Sequence, residues 1–109
     1  MEKVEIDNVT ISKIEFLSEE EKQIANKLLK EYYQKIKRAA KGDFSLKITV
    51  KEYTKGGKSK KYDLSAEVVC SGGIFRAKSF DWNFTKTLHK LLSKIISEME
   101  HRLHSSEQR

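Results

Sequence analysis

Few side chains in this 109-residue sequence are arranged for covalent, redox or metal chemistry. The single cysteine, Cys70, cannot form an intramolecular disulfide or a CxxC site, and its strand parity makes it a small inward-facing residue. His101-x-x-His104 can set two imidazoles on one side of a helix, but no cysteine or carboxylate cluster stands nearby to complete a four-ligand zinc site. His89 falls at the edge of an apolar stripe, where a packed, hydrogen-bonded histidine is the simpler reading. Glu19-Glu20-Glu21 follows Ser18 and is explained as a helix start rather than a cation site. There is no P-loop and no GxGxxG, and Gly56-Gly57 and Gly72-Gly73 read as hairpin turns. The expectation is a protein without catalytic residues, metal or cofactor.

What remains is cationic. The 22 Lys+Arg against 16 Asp+Glu give a formal net charge of +6, and the balance is uneven. Residues 1–21 carry a net −5, so residues 22–109 carry +11. A body this basic suggests a polyanionic partner, nucleic acid first, although a Lys/Glu-rich surface of the hyperthermophile kind would have a similar composition. Three lysine groups are candidates for phosphate contact: Lys55, Lys58, Lys60 and Lys61 in one turn; Lys27, Lys30, Lys37 and Lys41 on one helix; and Lys86, Lys90 and Lys94 at i, i+4, i+8 on another. The last set makes a ridge roughly 12 Å long at about 1.5 Å per residue. Lysine reads backbone charge rather than base edges, and only Arg38 and Arg76 could offer a guanidinium fork from a structured position. Shape recognition of folded RNA therefore fits better than sequence readout of DNA. Tyr33, Tyr53 and Trp82 could each stack on a base, but peripheral core is the simpler reading, and no paired aromatics of the RNP type stand on a central strand.

These groups must be positioned by regular elements. Val9 to Phe16 reads as a strand with a bend near Lys13, and Val4 and Ile6 could extend it backwards. Ser18-Glu19-Glu20-Glu21 is a capping box opening a helix that should run to about Lys41, with Gly42 as terminator. Ile24, Leu28, Tyr32, Ile36 and Ala39 give it an apolar stripe, opposite its lysines. Phe44, Leu46, Ile48 and Val50 alternate with polar residues, as do Tyr62, Leu64, Ala66, Val68 and Cys70, and residues 74–80 form a further strand. Asp63 and Glu67 can face Lys47 and Lys51 across the ladder. Asp81 or Asn83 then caps a second helix with its own stripe, Phe84 through Leu103. The order β-α-β-β-β-α predicts an α+β, two-layer fold, with two helices packed on one face of a four-stranded, mostly antiparallel sheet. Residues 1–104 are expected to form a single RNA-binding domain, and 105–109 a frayed tail.

The apolar runs are too short to span a membrane, the N-terminus lacks the order of a secretion signal, and the lone cysteine suits a reducing, cytoplasmic setting. Lys27 to Tyr32, Gly72 to Ala77, and Asn83 to Leu88 with Lys94-Ile95 are three groups of residues that resemble motifs of the ribosome hibernation-promoting factor/ribosome-associated inhibitor family. Lys27-Leu28-Leu29-Lys30-Glu31-Tyr32 is similar to the family's K-L-x-K-L run, and Gly72-Gly73-Ile74-Phe75-Arg76-Ala77 to the strand carrying an R-A pair. Asn83 through Leu88, followed by Lys94-Ile95, sits where the family shows D-x-Y-x-A-I-D and K-L. Asn83 replaces an aspartate there, Thr85 an aromatic, and Thr87-Leu88-His89 the A-I-D.

The resemblance implies a cytoplasmic protein that binds ribosomal RNA of the small subunit near the decoding region and blocks tRNA and mRNA. By position, Lys27, Lys30, Arg76, Lys86, Lys90 and Lys94 would be contacts. Another structured RNA remains an alternative partner, and homodimer formation is left open. A double-stranded-RNA-binding domain is the first competitor, because its α-β-β-β-α order is contained in this one. The extra first strand and Asp81-Trp82-Asn83 count against it. A protein-interaction module with a solvated basic surface is the second.

Overall fold

The computed structural model describes residues 8–13, 15, 17–55 and 59–104, apart from the side chains of residues 54, 55, 59, 103 and 104. The elements are β1 (Val9–Ser12), α1 (Glu19–Ala40), β2 (Phe44–Lys55), β3 (Ser59–Cys70), β4 (Gly73–Asp81) and α2 (Phe84–His104). Sheet order follows chain order, β1-β2-β3-β4. β1 lies parallel to β2, which needs a crossover, and α1 supplies it. The other two pairs are antiparallel. The α+β arrangement read from the periodicity is the one observed.

The first strand is shorter than its apolar pattern. Asn8 anchors its start, receiving the Leu46 amide on its carbonyl at 2.9 Å and donating its side-chain amide to the Phe44 carbonyl at 2.7 Å. Lys13, at φ 61°, ends the extended run. The expected extension through Val4, Ile6, Ile14 and Phe16 falls outside the described residues, as does the tail 105–109.

The capping box of α1 is complete: the Glu21 amide donates to Ser18 Oγ at 3.1 Å and the Ser18 amide to Glu21 Oε1 at 3.0 Å. Its far end corrects the expected terminator. Lys41, not Gly42, takes the left-handed conformation at φ 60°. The Lys41 amide reaches Arg38 O and the Gly42 amide reaches Lys37 O, a Schellman pattern in which the glycine comes one residue later than usual. At the start of α2, Asn83 Oδ1 accepts the Lys86 amide at 2.9 Å, while the Asn83 carbonyl takes both the amide and the hydroxyl of buried Thr87. Asn83 is thus the cap.

Both helices cover the same sheet face. Leu46, Ile48 and Val50 of β2, Leu64 and Val68 of β3 and Phe75 of β4 are buried against Leu28, Leu29, Tyr32 and Ile36 of α1 and Leu88, Leu91, Leu92, Ile95 and Met99 of α2. The helices run in the same direction. Near their starts, Glu21 Oε2 accepts a 2.6 Å hydrogen bond from the Tyr62 hydroxyl, and the Phe84 ring lies 5.6 Å from the Tyr62 ring. Three turns further along α1, the Tyr32 hydroxyl sits 2.6 Å from His89 Nδ1 of α2. Burial, and then the hydrogen bond to Glu21, push the Tyr62 phenol well above its usual range, so it remains a donor and ties the α1 cap to β3. His89 is exposed as a residue, yet its ring is held by this bond between the helices.

Candidate nucleic-acid interface

Packing two amphipathic helices on one sheet face turns their polar sides to solvent together. On α1, Lys27, Lys30, Lys37 and Lys41 are all exposed. At about 100° per residue, Lys27 and Lys41 lie along the crest of the helix, and Lys30 and Lys37 on its flank away from α2. Lys27, Lys30 and Lys37 have no ion-pair partner among the described residues.

The α2 ridge is less uniform than its spacing suggests. Lys86 points outward without an ion pair among the described residues. Lys90 Nζ lies 2.9 Å from Asp81 Oδ2, at the end of β4, and Lys94 Nζ donates at 2.9 Å to the Lys78 carbonyl on the same strand. The ridge therefore starts on the crest at Lys86 and drifts to the open β4 edge by Lys94. Spacing along one helix shows the ridge; it does not show which strand waits beside it.

The turn group divides between the two sheet faces. Lys58 lies outside the described residues, and of Lys55 only the backbone, ending β2, is described. Lys60 points to the helix side, where its ammonium is 3.8 Å from Glu52 Oε2, an oxygen buried without a hydrogen bond. Lys61 points the other way, its ammonium 4.3 Å from the centre of the Phe80 ring. Arg76 also lies on the face without helices, bonded to Glu67 Oε2 through Nη2 at 2.8 Å and Nε at 3.0 Å. The register does set Lys47 beside Glu67 and Lys51 beside Asp63, but Arg76 takes the Glu67 carboxylate from the other side.

Two of the aromatic assignments need correcting. Tyr33 packs on Phe44 at 5.2 Å as peripheral core, but Tyr53 and Trp82 are 51% and 55% exposed. Phe80, not singled out in the sequence, is more exposed still at 62%. The available signal was parity: Phe75 and Ser79 point inward on β4, so Phe80 must point outward. Cys70 is a free, half-buried thiol against the core. Among the described residues no cluster of three or more His, Cys, Asp or Glu could hold a metal ion, and no helix is long and apolar enough to cross a membrane.

The Lys90–Asp81 pair carries a directional expectation. The hydrogen bond from Lys90, then that from the Trp82 amide, holds the Asp81 carboxyl below its ordinary value. A lowered carboxyl pKa means the pair is fully present above the ordinary aspartate range and is lost only as pH falls through the lowered folded value. In Asp81→Asn, Lys90 keeps its charge but loses its anionic partner at all pH values. If this helix layer meets RNA phosphates, the released cation raises affinity roughly five- to eightfold at about 0.1 M salt, the effect of one more phosphate contact. Fluorescence anisotropy with a labelled structured RNA, read against wild type across a salt series, measures it.

The fold and surface thus define a two-layer α+β protein with an exposed lysine-bearing helix layer. A solved structure similar to this chain is that of the Thermus thermophilus Protein Y N-terminal domain, with 17% sequence identity over 68% of this chain and 81% of that one, at a TM-score of 0.45. That protein is of the hibernation-promoting factor family, the one that the sequence motifs resemble. No protein-family model and no curated protein matches the chain.

Proposed function

We propose that this chain is a non-enzymatic, cytoplasmic RNA-binding protein of the ribosome-associated, hibernation type. Its helix layer would lie on small-subunit ribosomal RNA and exclude translation ligands by occupancy. The observation that supports this reading is the set of exposed lysines on the two parallel helices, among them Lys27, Lys30, Lys37 and Lys86, whose ammonium groups have neither an ion pair nor a hydrogen bond among the described residues. Solvated pairs would have spent those charges internally; unpaired ones are available to phosphates. The choice of the ribosome among RNAs comes from the resemblance of the sequence motifs.

The test is co-sedimentation of the protein with small ribosomal subunits over a salt series. Each lysine that neutralises a phosphate releases a counterion, so four such contacts make log K fall against log salt with a slope of about −3. Retention that does not change between low and high salt would point to an apolar protein contact, and would sink the reading. Equal affinity for any RNA duplex would favour the double-stranded-RNA-binding alternative instead.

A further inference from the structure

The sheet has a second face that no helix covers, and one end of it has a composition unlike a solvated surface. On that face the odd-numbered residues of β2 and β3 align with the even-numbered residues of β4. Tyr53 stands beside Lys61; Lys51, Asp63 and Phe80 make the next row; Thr49, Ser65 and Lys78 the row after it. Trp82, one residue past β4, continues the same parity. Three aromatic side chains, each more than half exposed, therefore gather at one end of the sheet with lysines between them. Single exposed apolar residues are ordinary; three large rings in one patch are not.

We propose that this end of the open sheet face is a binding site for unpaired, single-stranded RNA, with bases stacking on Phe80, Trp82 and Tyr53 and phosphates held by Lys51, Lys61 and Lys78. The site goes beyond the helix-layer reading, because it uses the opposite side of the molecule and no helical residue. Charge selects the occupant. Among the described residues this face has five cations (Lys47, Lys51, Lys61, Arg76 and Lys78) against two acids, and one of the acids, Glu67, is already taken by Arg76. A polyanion with flat apolar faces is complementary to both halves of that description. An apolar protein surface matches only the rings, and the aliphatic residues that could extend such a contact, Val69 and Ile74, lie at the other end beyond the Lys47–Glu67–Arg76 row.

Spacing is suitable as well. Residues two apart on one strand are about 7 Å apart, and residues two strands apart are about 10 Å apart, so the three rings can receive successive splayed bases. Phe80 already holds a cation on its face, the Lys61 ammonium at 4.3 Å. An arriving phosphate draws that ammonium aside, and a base takes its place on the ring. Base–aromatic stacking is stronger than an exposed cation–π contact, and it tolerates any sequence because every base has a π-face.

Trp82 is the only tryptophan in the chain and serves as a built-in reporter. Titration with a short oligouridylate is expected to quench its fluorescence, whereas an RNA duplex with the same number of phosphates should not. Phe80→Ala and Phe80→Leu should each weaken oligouridylate binding about tenfold by anisotropy, and Phe80→Trp should retain it, with thermal stability unchanged in all three. Lys86→Glu/Lys90→Glu/Lys94→Glu should leave oligouridylate binding in place, so failure of the helix-layer reading is seen separately. Wild-type affinity in Phe80→Ala, or equal loss in Phe80→Trp and Phe80→Leu, overturns the proposal. So does a dimer in analytical ultracentrifugation that Phe80→Ala disperses and oligouridylate does not, which would assign the patch to a second copy of the chain.

Discussion

The variant Lys86→Glu/Lys90→Glu/Lys94→Glu is expected to bind structured RNA on the order of a hundredfold more weakly than wild type at about 0.1 M salt, with its fold unchanged. Loss of the cations at Lys86 and Lys94 accounts for a factor of roughly 25 to 60 through counterion release, Lys90 being held by Asp81, and three new negative charges supply the rest by repulsion. The loss should not be shared equally. Lys86 has no ion pair among the described residues, whereas Lys90 is partly neutralised by Asp81 at 2.9 Å and Lys94 is held by the Lys78 carbonyl. Lys86→Glu alone should therefore have a larger effect than Lys90→Glu alone. The fold should tolerate the change because all three side chains are exposed, and an exposed ion pair contributes about 0–1 kcal/mol. Anisotropy with labelled RNA and a thermal melt of the same samples measure both halves. An affinity within about threefold of wild type, with an unchanged melt, would move the interface off this ridge.

That asymmetry shows where a one-dimensional reading stops. Local physics was legible. The capping box at Ser18 and Glu21, the inward alternation of β2 and β3, and the facing of two acids, Asp63 and Glu67, by two lysines, Lys47 and Lys51, follow from residue spacing and appear in the structure; the register decides which acid meets which lysine. What was not legible depends on neighbours distant in sequence. Asp81 is nine residues from Lys90, and the Lys78 carbonyl is sixteen from Lys94; only the packing of α2 along β4 brings them together. Lys41 in a left-handed conformation displaces the expected glycine cap by one residue, because the bonds to Arg38 and Lys37 can hold a non-glycine residue there. Tyr53 and Trp82 looked like peripheral core because aromatics at element ends usually are. Their exposure follows from strand parity, which carries both to the face that the helices leave open.

The two phenylalanines of β4 give the sharpest test of that one-sided sheet. Phe75 is 1% exposed on the helix face, with the Arg102 guanidinium 4.6 Å from its ring centre; Phe80 is 62% exposed on the opposite face. Removing a buried phenylalanine costs about 3–5 kcal/mol, through lost transfer energy and the cavity left behind. Against a total stability of about 5–15 kcal/mol for a chain of this size, that is a large fraction. At about 4–8 °C per kcal/mol, Phe75→Ala should lower Tm by 10 °C or more by this rough scaling, and leave part of the population unfolded at 37 °C if wild-type stability lies at the low end. Phe80→Ala removes the same atoms from solvent-exposed surface and should leave Tm within about 4 °C, since substitutions of this kind are usually within about ±0.5 kcal/mol. Circular dichroism melts of the two variants side by side measure the difference. Equal destabilisation would mean that something covers the second face in the isolated chain, and would contradict both the sheet's orientation and the open aromatic end built on it.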